Sequence, residues 1–75
     1  MPRYFFHLVH PDRDPVRDDE GITFDDDAGA KLEGLTSLGE LVRDTARDLS
    51  FQGYVSVQIV RAGAGVIAIL TARVT

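Results

Sequence analysis

Apolar residues recur with two different periods along the chain, and the switch between these periods predicts the order of the elements. Residues 3–9 read Arg-Tyr-Phe-Phe-His-Leu-Val, an aromatic and β-branched run typical of a strand that is apolar on both faces. Residues 54–61 alternate between apolar and polar, and residues 66–72 are again apolar on both faces, so both are predicted strands. Between them, apolar residues spaced by three and four predict an amphipathic helix.

A turn and an interrupted strand are predicted after the first strand. Residues 10–15 contain two prolines and two aspartates, a composition typical of turns. Residues 16–18 are expected to return as a short strand that residues 22–24 continue, with Gly21 forming a bulge or a second turn between them. A charged, interrupted strand of this kind belongs at the edge of a sheet.

The predicted helix begins at three consecutive aspartates, residues 25–27, and ends before Gly53. These aspartates offer a capping side chain and favourable charge in the first turn. Gly29, Gly34 and Gly39 each cost about 1 kcal/mol relative to alanine, and their spacing of five places them on no single face, so we expect no close packing from them. The apolar stripe expected to pack on the sheet consists of Leu32, Leu35, Leu38, Val42, Thr45, Ala46 and Leu49.

This order of elements predicts a two-layer α+β fold, ββαββ, with one long helix packed on a four-stranded sheet. Strands that are apolar on both faces favour the centre of a sheet, and strands with a polar face or charges favour its edges. We therefore narrowly favour the spatial order 2-1-4-3, in which the first and fourth strands run parallel as in a β-grasp arrangement. The alternative is the all-antiparallel order 2-1-3-4, which leaves the fourth strand as a hydrophobic edge.

Composition indicates a folded domain. Of the 75 residues, 44% are hydrophobic and 27% are charged, a balance that separates globular from disordered chains. Residues 1–75 are enough for a single domain. The absence of cysteine excludes disulfides and zinc–sulfur sites. No apolar run reaches the roughly 18 residues that a membrane span requires, and the N-terminus lacks the layout of a signal peptide, so we expect a cytoplasmic protein without membrane contact.

Acidic residues concentrate before the helix. Eight acidic residues and two arginines between residues 12 and 27 give this segment a charge of −6, against −4 for the whole chain. A nucleic-acid partner is not expected, because the basic footprint that phosphates require is not visible. Clustered carboxylates also suit calcium, but the Asp-x-Asp-x-Asp-Gly loop is missing. We favour acids that cap the helix and charge an edge strand, and a cation site in residues 12–27 stays open.

No pattern in the sequence is typical of an enzyme. His7 and His10 form a His-x-x-His pair, but one is predicted on a strand and the other in a turn, with no third ligand at a suggestive spacing. The serines lack a nucleophile elbow. The Gly-Ala-Gly turn at residues 63–65 joins two strands, whereas a phosphate-binding loop precedes a helix. We therefore expect a non-enzymatic domain with no metal and no cofactor.

The first strand carries more apolar surface than one helix can cover. Tyr4, Phe6 and Leu8 are expected to face the helix, because this leaves the polar His7 on the less buried side. An apolar open face or strand edge favours an interaction module, either a homo-oligomer or a binder of another protein. The alternative is a nucleic-acid-associated module that uses the aromatic strand for stacking. The candidate interface consists of Phe5, His7, Val9, Ile67 and Ile69.

The opening segment Met1-Pro2-Arg3-Tyr4-Phe5-Phe6-His7 resembles that of a family of short bacterial proteins classed as a domain of unknown function. An acidic turn at residues 18–21, a helix started by aspartate and a hairpin with glycine at its tip follow in the same order. The three helix glycines depart from the alanine- and arginine-rich helix of the family. The resemblance implies a stand-alone bacterial domain and carries no activity, cofactor or catalytic residue.

Overall fold

One helix lies across a four-stranded antiparallel sheet in the computed structural model, which describes residues 1–10, 14–47 and 52–74. The predicted α+β fold of ββαββ order is therefore confirmed. In chain order, the elements are β1 (Arg3–Val9), β2 (Ile22–Thr23), α1 (Asp27–Thr45), β3 (Gly53–Arg61) and β4 (Gly65–Val74).

The strands lie in the order β2-β1-β3-β4. The favoured order 2-1-4-3 was wrong, and the alternative 2-1-3-4 is confirmed. The polar positions of β3 were misleading because the helix covers only one face of the sheet. Ser56 and Gln58 point to the uncovered face, where polar residues are tolerated in a central strand as well as at an edge. Ser56 is 6% exposed, lying between Val9 and Thr71 of the neighbouring strands.

The first hairpin returns through two short contacts with β1. Val16 and Leu8 exchange two main-chain hydrogen bonds of 2.9 Å, and β2 then pairs with the start of β1. Gly21, between these contacts, has a φ of +75°, and a Cβ at this position would lie 2.8 Å from the carbonyl oxygen of Tyr4. Only glycine satisfies both conditions. The sequence predicted a bulge or a second turn at Gly21; the structure has a bend at residues 19 and 20 directly before it. Residues 11–13 of the earlier turn lie outside the described residues.

The aspartates before α1 start the helix as the sequence predicted. Asp26 is the N-cap, and its Oδ1 accepts a hydrogen bond from the main-chain N–H of Gly29 at 3.0 Å. Asp27 occupies the first turn, where a negative charge is favoured by the helix dipole. Ala46 is the C-cap. Leu49, the last predicted stripe residue, lies outside the described residues.

The core forms between α1 and the faces of β1 and β3 that point toward it. The predicted orientation of the first strand is confirmed, because Tyr4 and Phe6 are buried and Leu8 packs against them. Ala30 is the fully buried side chain that α1 contributes to the same cluster, which consists of Tyr4, Phe6, Ala30, Val57 and Ile59.

The predicted stripe of α1 was wrong in most of its apolar positions. Leu38 packs against the core, but Leu32 is 68% exposed, Leu35 55% and Val42 37%. The sheet supplies the large side chains, so the helix approaches it with small residues. A Cβ on Gly34 would lie 2.5 Å from Cδ1 of Ile59, and the expectation that no helix glycine serves close packing was therefore wrong for Gly34.

The predicted glycine hairpin between the last two strands is confirmed, with residues 62–64 in the turn and positive φ at Gly63 and Gly65. A β-bulge follows it. Ile59 pairs with Ala68, but Val60 pairs with Val66, which leaves one extra residue in β4. That residue is Ile67, which packs against the core cluster. The bulge therefore changes which β4 side chains point toward the helix.

Candidate protein-interaction surface

The outer edge of the sheet is formed by β4, which pairs with β3 along one side. It is ten residues long, contains no proline and has one charged residue, Arg73, near its end. Within the described ranges, no strand pairs with its other side. Main-chain N–H and C=O groups on that side are therefore available to another strand, and a long apolar edge of this kind is a surface for strand addition.

The opposite edge of the sheet is protected. β2 is only two residues long, and a charged turn precedes it. The Arg3 guanidinium donates to the carbonyl oxygen of Glu20 at 2.6 Å, and Arg17 forms an exposed ion pair of 3.2 Å with Asp19. Short length and charge are two devices that prevent unwanted strand pairing, so the two edges of this sheet differ in their capacity to accept a strand.

The open face, defined as the face of the sheet away from α1, begins near the hairpin as an apolar surface and becomes polar toward the other end. Val66 is 51% exposed and Ile69 61%, while the Arg73 guanidinium lies 5.7 Å from the centre of the Tyr54 ring. The cross-strand register places four rows on this face: Phe5 with Val60 and Val66; His7 with Gln58 and Ile69; Val9 with Ser56 and Thr71; Tyr54 with Arg73.

His7 is held on the open face by the segment that returns beside β1. Its Nδ1 accepts a hydrogen bond from the main-chain N–H of Asp18 at 3.1 Å. This contact requires an unprotonated Nδ1, because both ring nitrogens of a protonated histidine are donors. A recess of about 350 Å³ lies beside this histidine, lined by Phe5, His7, Arg17, Asp18, Asp19 and Val60.

Asp18 is the main polar contact of the acidic segment. Its Oδ1 accepts from the N–H groups of Glu20 and Gly21, and its Oδ2 accepts from the N–H of Phe6, each at 3.0 Å. Burial raises the pKa of Asp18, but these hydrogen bonds outweigh it and lower the pKa below its usual value. This carboxylate therefore orders a turn and fixes it to β1.

A second polar cluster joins the start of α1 to the sheet. The buried Tyr4 hydroxyl donates to Asp27 Oδ1 at 2.6 Å, and the Arg61 guanidinium donates to the same oxygen at 3.2 Å. Burial, followed by the hydrogen bond to Asp27, raises the pKa of Tyr4. The cluster connects β1, α1 and β3, because the Asp27 carboxylate accepts hydrogen bonds from both other side chains.

A groove of about 410 Å³ runs between α1 and β1, because the helix lies over β3 and β4. Phe6, Leu8 and Leu41 give it apolar walls, while Glu40 and Asp44 place acidic groups along the helix side. Among the described residues, its lining includes Ser37 and no histidine. The groove also shows that the flank of α1 carrying Glu40 and Asp44 faces β1.

The structure brings together four of the five predicted interface residues. Phe5, His7 and Val9 share the open face with Ile69, which lies two strands away. Ile67 does not join them, since the bulge turns it toward the core. Val60 and Val66 complete the row begun by Phe5, but neither was among the predicted interface residues. Alternation along β3 could have identified Val60; the facing of Val66 depends on the bulge, which has no clear sequence signal.

In the described part of the chain, no three histidine or acidic side chains converge as a metal site would require. His7 and Asp18 are already hydrogen-bonded as described above. No helix in the described ranges combines the length and hydrophobicity that a bilayer crossing needs.

Comparison with known proteins agrees with the resemblance in the opening segment. No curated protein and no solved structure matches the chain. A family model described as Domain of unknown function (DUF6894) matches residues 3–73, which include all five structural elements except the last residue of β4. Since the match spans nearly the whole chain, the protein belongs to this family, Domain of unknown function (DUF6894).

Proposed function

We propose that this domain is a non-enzymatic protein-interaction module that binds a second copy of itself through the β4 edge and the adjoining open face. The observation that carries the proposal is the contrast between the two edges of the sheet. β2 has only two residues and follows a charged turn, whereas β4 has ten residues with one charge. Self-association of this kind suits a regulatory or scaffolding role more than catalysis.

The proposed contact is a symmetric antiparallel pairing of two β4 strands. A two-fold contact uses the same surface on both copies. Two identical edge strands related by such an axis run in opposite directions and can therefore form an antiparallel pair. The bulge near Val66 interrupts the edge at one end, so the regular part is residues 68–74. Pairing there produces a continuous eight-stranded sheet with both helices on the same side, because the two-fold axis is perpendicular to the sheet.

Side chains beside the paired strands would add to the main-chain hydrogen bonds. Ile69 is 61% exposed on the open face next to the edge, and a second strand would remove part of this surface from water. Burial of apolar area contributes about 25 cal/mol per Å², while the rows begun by Phe5 and His7 provide adjoining surface. Self-association therefore accounts for apolar residues at an edge where a monomer gains little from them.

The nucleic-acid alternative has less support. Stacking platforms expose aromatic rings beside basic residues. Tyr4 and Phe6 are buried on the helix side of the sheet, which leaves Phe5 as the partly accessible aromatic of the first strand. Retention on a heparin column at low salt would revive this alternative.

Light scattering after size-exclusion chromatography at micromolar concentrations tests the proposal. We expect a particle of twice the 8.2 kDa chain mass for the wild type. Ile69→Lys should shift the particle to the monomer mass, because a lysine at a strand edge disfavours pairing. Ile22→Lys is the matched control: Ile22 is 47% exposed on the protected edge, and its substitution should leave the dimer unchanged.

Circular dichroism must show that both variants remain folded. A wild type that is still monomeric at roughly 100 μM would refute the proposal, because its dissociation constant would then lie well above the micromolar range. A dimer that Ile69→Lys leaves intact and Ile22→Lys dissociates would refute it equally, since it would place the contact at the other edge.

A further inference from the structure

The outer helix face, which points away from the core, carries an apolar pattern with a strict heptad spacing. It consists of Ala28, Leu32, Leu35, Gly39, Val42 and Ala46. The steps of four and three alternate without exception, which is the spacing of a helix-pairing surface and not the irregular spacing of a helix that packs on a sheet. Leu32 and Leu35 are both more than half exposed. The monomer therefore leaves a regular apolar face uncovered.

The outer helix face leans toward the β4 edge. The flank of α1 that carries Glu40 and Asp44 borders the groove beside β1. At 100° per residue, Leu35 and Val42 lie on the other flank, on the side where α1 covers β4. The uncovered helix surface and the uncovered strand edge are thus on the same side of the molecule.

We propose that the two helices of the β4-paired dimer pack against each other through the outer helix face, so that one interface has a strand layer and a helix layer. This inference rests on the proposed function. The same two-fold axis makes both the strands and the helices antiparallel. Because neighbouring strands lie about 4.8 Å apart, helices centred over β3 and β4 would have axes roughly 10–14 Å apart in the dimer. The axes of packed helices are about 8–10 Å apart, so leucine side chains can fill the space between the two helices.

The outer helix face is complementary to itself in this antiparallel orientation. When Ala28 lies opposite Ala46 of the second copy, Leu32 faces Val42, and Leu35 faces Gly39. Gly39 has open space around it in the monomer, where glycine costs about 1 kcal/mol relative to alanine. The Leu35 side chain of the second copy would occupy this space. The pairing thus gives a use to a glycine that the monomer does not need.

Charge favours the same orientation. The N-terminal end of α1 carries three aspartates at residues 25–27, whereas Arg43 and Arg47 near the C-terminal end are balanced by Asp44 and Asp48. Antiparallel pairing places each acidic end beside a segment without net charge, whereas parallel pairing would place the aspartates of both copies together. Parallel pairing would also set Gly39 against Gly39 and leave a hole.

The strand and helix layers also share a centre. Gly34 lies over Leu70 of β4, and the helix advances toward the end of β4 from there, since Asp27 lies beside Arg61 at the hairpin end. The midpoint of the helix pairing, near Ser37, is about 4.5 Å beyond Gly34, which is between one and two strand residues. It therefore lies close to the middle of residues 68–74, where the strand pairing is centred.

Single-cysteine cross-linking tests the helix layer, because the chain has no cysteine of its own. Thr36→Cys lies near the two-fold axis, and we expect a short bis-maleimide to convert it to a covalent dimer. Ala28→Cys lies about 27 Å from its own counterpart in the antiparallel arrangement and should not cross-link. Capture of Ala28→Cys, or of neither variant, would overturn the inference.

A second measurement separates the two layers. Leu35→Glu should dissociate the dimer at concentrations where the wild type is dimeric; Val16→Glu, at an exposed apolar residue beside the β1 groove, is the matched control and should not. If the wild type dimerises and Ile69→Lys dissociates it, but Leu35→Glu leaves its affinity unchanged, the helix layer is wrong and the strand pairing stands. A monomeric wild type would refute both the strand pairing and the helix layer.

Discussion

At the residue scale, the polar side chains of this domain are used to hold the polypeptide in place. Asp18 orders the turn before β2, and Asp27 joins α1 to Tyr4 and Arg61. Charged groups can be kept in a small fold when hydrogen bonds compensate their partial burial. The acidic segment that dominates the charge pattern is therefore explained in part by these hydrogen bonds.

Asp18→Ala tests the role of this carboxylate. The substitution removes the acceptor of three main-chain N–H groups, and we expect unfolding to become easier by about 1–2 kcal/mol, less than for a fully buried charge because water can replace some contacts. Asp19→Ala removes only the exposed ion pair with Arg17 and should cost about 0.5 kcal/mol or less. Equal urea midpoints for the two variants would contradict this assignment.

The same carboxylate predicts part of the acid sensitivity. The pKa of Asp18 is lower in the folded chain than the value of about 3.9 expected when unfolded. Its contribution is therefore fully present above that pH and is lost as the pH falls through the folded pKa. The difference in unfolding free energy between wild type and Asp18→Asn should shrink as pH falls from about 5 to about 2. A difference that stays constant over this range would disprove the linkage.

At the element scale, the sequence predicted which elements form but not which face of α1 is buried. Periodicity and the aspartate cap located the helix, and alternation located the strands. The predicted buried face of α1 was wrong because the leucines were assigned to the core. Side chains of the sheet fill the core instead, and the helix packs on them through Ala30 and Gly34. Helix periodicity alone cannot distinguish a face buried in the monomer from a face suited to a partner.

Substitutions of two leucines test which face of α1 is buried. Leu38 packs against the core, so Leu38→Asp should destabilise the fold by about 2–4 kcal/mol. Leu35 is 55% exposed, and Leu35→Asp should change the stability of the monomer by about 0.5 kcal/mol or less. Chemical denaturation at concentrations below dimer formation compares them. Similar losses would mean that both leucines are buried.

Two helix glycines give a second comparison. Alanine at either position gains about 1 kcal/mol in helix propensity. At Gly34, however, the new Cβ would lie 2.5 Å from Ile59 Cδ1 and 2.9 Å from Leu70 Cδ1, whereas Gly39 has open space. Below the concentration of dimer formation, Gly39→Ala should therefore be more stable than Gly34→Ala by about 1–3 kcal/mol, the usual cost of overpacking. A Gly34→Ala variant as stable as Gly39→Ala would show that the helix can move away from the sheet.

At the scale of the whole molecule, the strand order creates the candidate site. The ββαββ pattern was readable from the sequence, and the edge position of β2 followed from the charged segment that precedes it. The edge position of β4 was not predicted, because a strand that is apolar on both faces is typical of the centre of a sheet. Its apolar sides face the helix and the open face, and the helix and strand surfaces that remain uncovered lie together. The combination of an apolar edge strand with an exposed heptad face arises only from the three-dimensional arrangement.

Self-association through β4 predicts that thermal stability depends on protein concentration. Association stabilises only the folded state, so a hundredfold increase in concentration above the dissociation constant should raise the unfolding midpoint by roughly 5–10 °C for a domain of this size. The midpoint of Ile69→Lys should not change over the same range, because the lysine blocks strand pairing, while the Ile22→Lys control should follow the wild type. Differential scanning calorimetry at low and high concentration measures all three proteins. A wild-type midpoint independent of concentration, or a parallel rise in Ile69→Lys, would exclude the β4 edge as the contact between copies.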